Sequence, residues 1–238
     1  MSLNPTYKQQ GVAMTCRSYE EYLKMFAMSN EEQLKGPILD VAAGASSFVA
    51  EANMKGLNAI AVDPMYELHP DAILHKGLLE IEISTAKLAN LQEHFDWTYY
   101  GNIENHREIR EVSLQKFIKD YRLMGESRYI SAMLPVLPFP NESFGLVLCS
   151  HFLFLYGEQF DGIFHRQAIN ELLRVCRNGG QVLIYPLKTL GFELYSELAE
   201  IVTELGSNGV EARYCYSELP FIPGSSELLS LTKQSNKI

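Results

Sequence analysis

Apolar positions along the chain fall into two kinds of run. Residues 37–41 (PILDV), 58–63 (NAIAVD), 144–149 (FGLVLC) and 181–185 (QVLIY) are short, nearly continuous apolar segments with turn residues beside them, and each is predicted as a buried strand. Between the last two, residues 161–177 carry apolar side chains at 164, 168, 172 and 175, with 169 and 173 alongside, which is the stripe of a helix lying on a sheet. A shorter helix is predicted over 46–55, begun by Ser46 or Ser47 and stopped by Gly56. Strands that are apolar along their whole length, separated by amphipathic helices, imply a doubly wound, mostly parallel α/β sheet with helices on both faces. After a helix near 194–205, the runs 211–217 and 227–231 are close enough to pair as an antiparallel hairpin at one sheet edge.

One segment interrupts this rhythm. Residues 67–127 hold two helical patterns and an aromatic stretch, Trp97 to Gly101. Pro70 suits a first helical turn, and Leu114, Phe117, Ile118 and Tyr121 form an apolar stripe. At about 60 residues it far exceeds the usual βα connection of roughly 2–6. It is read as a helical cap inserted after the second strand of a single domain spanning 1–238. Trp97, Tyr99 and Tyr100 are expected in its core rather than in a substrate cage.

Composition narrows the function classes. A net charge of −9 without a Lys/Arg run disfavours nucleic acid as the main partner. No stretch nears the roughly 18 apolar residues that a membrane span needs, and the start lacks the apolar core of a signal peptide. Cys16, Cys149, Cys176 and Cys215 are widely spaced, which predicts reduced, mostly buried thiols, a cytoplasmic setting and no metal site. The acid pairs Glu20–Glu21 and Glu31–Glu32 read as solvated helix faces.

The candidate chemistry is concentrated in residues 38–48, ILDVAAGASSF. A buried strand delivers Asp40, and a loop of small residues then enters a helix whose first N–H groups lack intrahelical partners. Asp63 ends the next strand, where an acid can accept both hydroxyls of a ribose. Ala42, Gly44 and Ser47 occupy the glycine positions of the dinucleotide fingerprint, so GxGxxG is absent, and there is no phosphate-binding GxxxxGK[ST]. An acidic loop without Lys or Arg suits the α-amino group of a methionyl tail better than a pyrophosphate.

Asp40-Val-Ala-Ala-Gly44 resembles the first motif of class I S-adenosylmethionine-dependent methyltransferases in its DxAxG form, and Asn58-Ala-Ile-Ala-Val-Asp63 resembles their second. LPFPNESFGLVLCSH (137–151) is similar to their LPF segment and the strand after it, and LLRVCRNGG (172–180) to the helix and turn before their fifth strand. The resemblance implies a seven-stranded Rossmann-like sheet and S-adenosylmethionine as cofactor. It implies that Asp40, Ala42 and Gly44 hold the methionine portion, and that Asp63 holds the ribose with Pro64 and Met65 against the adenine. Ser131 and Ala132 fall by the adenine edge, and Ser150 and His151 near the sulfonium. The chain departs from the family pattern at Ser46 (a glycine elsewhere), Ser131 (often an acid) and Gly145 (commonly Asp). No NPPY-like tetrapeptide follows the fourth strand, which disfavours base-amino or glutamine-amide acceptors.

Transfer from a sulfonium is an in-line displacement whose leaving group needs no proton, so positioning carries most of the catalysis. For a hydroxyl or thiol acceptor, His151 is the candidate base and Tyr156 an orienting group. The expected activity is methyl transfer to a small-molecule acceptor lying under the 67–127 cap. Arg17, Tyr19 and Tyr22 are placed to help close the site. A protein that holds S-adenosylmethionine or S-adenosylhomocysteine without turnover has the same motifs. A nicotinamide-dependent oxidoreductase shares the sheet but is disfavoured by the missing GxGxxG.

Overall fold

The computed structural model describes residues 7–9, 11–28, 34 and 36–233. Glu31 and Glu32 lie outside the described residues. The strands are β1 (Pro37–Val41), β2 (Asn58–Val62), β3 (Tyr129–Ile130), β4 (Phe144–Ser150), β5 (Cys176–Tyr185), β6 (Val210–Tyr216) and β7 (Glu227–Lys233). The α-helices are α1 (Tyr19–Met25), α2 (Phe48–Met54), α3 (Pro70–Ala89), α4 (Ile103–Met124), α5 (Gly162–Val175) and α6 (Leu198–Ser207).

The strands form one seven-stranded sheet in the order β3-β2-β1-β4-β5-β7-β6. Neighbours from β3 to β5 run parallel, whereas β7 runs antiparallel to both β5 and β6. The expected doubly wound sheet with a C-terminal hairpin is therefore present. The strand order reverses between β1 and β4, and ligands of such sheets bind outside the carboxyl ends of strands at that point.

Alternation along β1 assigns its side chains to the two layers. Ile38 joins the core under α1 to α4, while Leu39 and Val41 join the core under α5 and α6. Asp40 shares the face of Ile38, so the motif acid points into the α1/α2 layer. Each long helix starts on a side-chain cap: Asp161 accepts from Phe164 N at 2.8 Å for α5, and Asn102 from Asn105 N at 2.8 Å for α4. Pro70 occupies the first turn of α3.

The segment 67–127 becomes α3 and α4, packed on each other and on α2. Leu114, Phe117, Ile118 and Tyr121 are all buried. Trp97, Tyr99 and Tyr100 pack into the same core and line neither of the cavities described below. All four cysteines are free, Cys215 half-buried and the others buried.

Candidate active site

The loop after β1 turns through two left-handed residues, Ala42 (φ 54°) and Gly44 (φ 59°). Glycine is required at 44 on a second ground, because a Cβ there would meet the Thr15 carbonyl oxygen at 2.7 Å. The chain before α1 lies directly on this loop and takes its N–H groups. Ala45 N donates to Thr15 O at 2.9 Å and Ser47 N to Arg17 O at 2.9 Å. Ser46 Oγ donates to Arg17 O at 2.7 Å, so the serine in place of the family glycine ties down the covering segment. The expectation of free donors at the start of α2 is thus corrected at Ser47 N, which Arg17 O takes, and at Phe48 N, which donates to Ser46 Oγ at 3.1 Å.

Asp63 faces the loop. Its Oδ2 accepts from Gly44 N and its Oδ1 from Met65 N, both at 3.0 Å. Burial raises its carboxyl pKa, partly offset by those two N–H groups. Each carboxylate oxygen keeps a further lone pair. Asp40 is fully buried beneath the loop; Tyr22 Oη donates to Oδ1 at 3.2 Å, and Oδ2 has no partner among the described residues. Burial pushes its carboxyl well above the usual range, the Tyr22 bond opposes this, and nearby Asp63 adds to it.

A crevice of about 630 Å³ opens at the carboxyl ends of β1 and β2. Of the residues expected to hold cofactor, Ala42, Gly44, Asp63, Pro64, Met65 and Ala132 line it together. Three others do not. Asp40 lies beneath it, as the strand alternation requires. Ser131 is exposed after the short β3, with Oγ 3.4 Å from Pro64 O and 3.3 Å from Glu67 Oε1. Ser150 is buried behind His151, its Oγ 2.9 Å from His151 Nδ1 and 4.0 Å from Met25 Sδ.

A second chamber, of about 120 Å³, adjoins the crevice. Ala13, Met14 and Glu80 line both and so form the wall between them. His151 and Tyr156 line the second chamber. His151 follows β4 in a left-handed conformation (φ 52°), and its N–H donates to Tyr185 O at 2.6 Å. Burial, then the charges of Arg17 and Arg110, hold its imidazole pKa well below 6.5, so the ring is neutral. Tyr156 Oη accepts from Ala13 N at 2.8 Å, and burial pushes its pKa up to about 12. It therefore pins the dividing wall.

The chamber also has walls that the sequence reading did not assign. Arg110, from α4, donates through Nη1 to Glu21 Oε2 at 2.7 Å and through Nη2 to Tyr100 Oη at 2.9 Å. Arg17 Nη1 approaches Glu21 Oε1 at 3.5 Å. Glu21 is completely buried, which corrects its reading as a solvated acid. Burial alone would raise its pKa, but the Arg110 and Arg17 guanidiniums, with hydrogen bonds from Ser18 N and Tyr100 Oη, together lower it. Glu80, His106 and Arg110 lay on readable helical stripes: 73, 77, 80, 81, 84 and 88 on α3, and 106, 110, 114, 117 and 121 on α4. A polar residue interrupting an apolar stripe was the available signal.

Comparison with known proteins bears on the family and the fold. Residues 84–184 match the sequence model of a family described as a methyltransferase domain. An uncharacterized protein, MJ0045, of Methanocaldococcus jannaschii is 32% identical over 218 residues, spanning 91% of this chain and 94% of that protein. The chain belongs to the class I S-adenosylmethionine-dependent methyltransferases. In fold, this methyltransferase is similar to the PH0226 protein of Pyrococcus horikoshii OT3 (TM-score 0.50, 12% identity, 91% of each chain). It is likewise similar to the magnesium protoporphyrin IX methyltransferase of Synechocystis PCC 6803, solved with bound S-adenosylmethionine (TM-score 0.50, 12% identity, 91% of this chain and 78% of that one). The cofactor of the methyltransferase is S-adenosylmethionine. Its chemistry fits the residues present: the crevice is of ligand size and is lined by the Asp63 carboxylate, which keeps lone pairs for hydroxyl donors, and by the apolar side chains of Pro64, Met65 and Ala132.

Proposed function

We propose that the chain transfers a methyl group from S-adenosylmethionine in the crevice to a small molecule in the adjoining chamber. The observation that carries this reading is the shared wall: one cavity is lined by the motif residues, the other by His151 and Tyr156, and Ala13, Met14 and Glu80 border both. Asp63 takes the ribose hydroxyls, Pro64, Met65 and Ala132 bracket the adenine, and Ala42 and Gly44 border the methionine portion, their loop supported from beneath by Asp40. Ser131 contributes from the rim only.

When bound, the cofactor would supply an electrophilic methyl group on a sulfonium, with a thioether as the leaving group that needs no proton. The chain's own part is to align the two chambers and to receive the acceptor's proton. With the Ser150 hydroxyl hydrogen turned to Met25 Sδ, its oxygen accepts from His151 Nδ1–H and leaves Nε2 unprotonated as the base. Ser150 thus positions the base rather than touching cofactor. Tyr156 holds the wall against which the acceptor is oriented. Glu80 is a second proton acceptor on the dividing wall, its carboxyl raised by burial despite Lys87.

Calorimetric titration of S-adenosylhomocysteine tests the cofactor half. Micromolar binding is expected, and Asp63→Ala should weaken it about tenfold or more, the scale of lost charge-assisted hydrogen bonds. Absence of binding to folded wild-type protein overturns the reading. Binding without transfer to any acceptor favours a holding role instead.

A further inference from the structure

We infer that the acceptor is an extended molecule entering from the side opposite the cofactor, its slim, ring-free reacting end in the chamber and its hydrophilic remainder in an open recess behind Tyr7. This rests on the reading of that chamber as the acceptor site.

The recess, of about 720 Å³, shares Tyr7, Leu155, Tyr156 and Leu190 with the chamber and no lining residue with the crevice. The chamber therefore stands between the two, with Ala13, Met14 and Glu80 as its wall toward the crevice and a different set of side chains as its wall toward the recess. Lys8, Gly11, Glu158 and Gln159 around the recess are exposed, so it opens to solvent. A cofactor seated in the crevice covers the first wall. The second wall is then the way in for an acceptor.

Size and polarity divide the acceptor in two. At about 120 Å³ the chamber is smaller than the roughly 150 Å³ cavity that holds benzene, so it admits a short chain and not a substituted ring. Leu88, Phe95, Phe192, Phe221 and Ile222 line it, and the part of the acceptor inside is accordingly apolar up to its nucleophilic atom. The recess is several times larger and carries Lys8, Gln9, Lys87, Glu158 and Gln159. A polar group left there keeps its hydration, whereas the same group inside the chamber would lose it.

Tyr7 is the movable member of the wall between chamber and recess. Leu155 and Tyr156 are buried, and Leu190 N donates to Leu155 O at 3.0 Å. Tyr7 is half-buried in the segment before α1. Its N–H donates to Leu190 O at 3.2 Å, and its ring lies under Lys87 Nζ, 5.4 Å from the centroid. A ring that rests against the end of a flexible lysine can swing while the backbone bond stays made, so Tyr7 sets the width of what passes.

The test uses the full chain carrying Ser84→Cys, with and without saturating S-adenosylhomocysteine. Ser84 is half-buried on the inward stripe of α3 and lines the chamber but neither the crevice nor the recess. The introduced thiolate attacks a methanethiosulfonate, forming a disulfide and releasing methanesulfinate, and peptide mapping by mass spectrometry reads the rate at each cysteine. Methyl and 2-sulfonatoethyl methanethiosulfonate should both label the introduced thiol, and S-adenosylhomocysteine should change either rate by less than about twofold. The benzyl reagent should be slower by about tenfold or more, a barrier difference of roughly 1.4 kcal/mol, and Tyr7→Ala should remove most of that gap. Cys149, buried in β4 and lining none of the three spaces, should label no faster in Tyr7→Ala. Protection by S-adenosylhomocysteine, exclusion of the sulfonate, equal rates for the benzyl and methyl reagents, no effect of Tyr7→Ala, or a rise shared by Cys149 each overturns the inference. The reagent and cofactor comparisons decide the route even where Tyr7→Ala does not fold. Failure of S-adenosylhomocysteine to bind the wild-type protein by calorimetry instead overturns the cofactor reading, so the two failures are separable.

Discussion

At the scale of single residues, Asp40 and Asp63 are chemically alike and differently used. Asp63 is satisfied by two backbone N–H groups and faces the crevice. Asp40 is sealed beneath the loop, with one tyrosine hydroxyl for company and one oxygen unpartnered. A carboxyl whose pKa is raised by folding holds its proton more tightly in the folded state. Its stability contribution is then best at or below the unfolded value of about 3.9 and is lost as pH rises toward the folded value. Asp40→Asn, which removes the titration at nearly constant shape, is expected to raise the thermal midpoint at pH 7.5. That gain should vanish toward pH 4, and S-adenosylhomocysteine should lose less affinity than in Asp63→Ala, since Asp40 does not line the crevice. Melting curves across pH, paired with calorimetry, check both halves; a pH-independent difference would contradict the burial argument.

At the scale of elements, much of the framework was legible because it is written locally. β1 begins and ends where its apolar run does, and α5 is framed by Asp161 and its stripe. β5 is longer than its apolar run because Cys176 already pairs with Phe144; residues 177–180 then bulge out of register before Gln181 resumes the pairing at Leu146. Glu21 was misread for a related reason. The capping box with Ser18 is a local surface pattern, whereas the Arg110 that buries the acid is 89 positions away. Hydrophobic period tells which face is inward; it does not tell which charged residue on that face has found a partner. The pairing of α3 with α4, which brings Glu80, His106 and Arg110 to one chamber, depends on Gly77. A Cβ there would meet Leu114 Cδ2 at 2.7 Å, and Leu114 is fully buried. Gly77→Ala should therefore destabilise the protein by about 1–3 kcal/mol despite its better helix propensity. Urea unfolding measures this, and a neutral or stabilised variant would show that the two helices separate easily.

At the scale of the whole molecule, the last described strand in sequence is not the last in space. β7 lies between β5 and β6, with Leu228, Leu229 and Leu231 buried. Truncation after Ser226 strips β5 of its antiparallel neighbour and leaves the apolar edge of a parallel sheet exposed. Such a chain is expected to be aggregated or without a cooperative melt, by scattering and circular dichroism; a soluble, cooperatively folded product would mean that β1 to β5 suffice. Among the described residues, no helix is long and apolar enough to cross a membrane.

The partition formed by Ala13, Met14 and Glu80 belongs to two cavities at once, and Tyr156 anchors it from one side only. Any displacement that enlarges one cavity is felt by the occupant of the other. Affinities on the two sides are then obliged to change by a common factor, whichever ligand arrives first. Substitutions at Met14 are the place where cooperativity between them can be tuned, and even reversed in sign, with the residues that touch each ligand's charged groups left as they are.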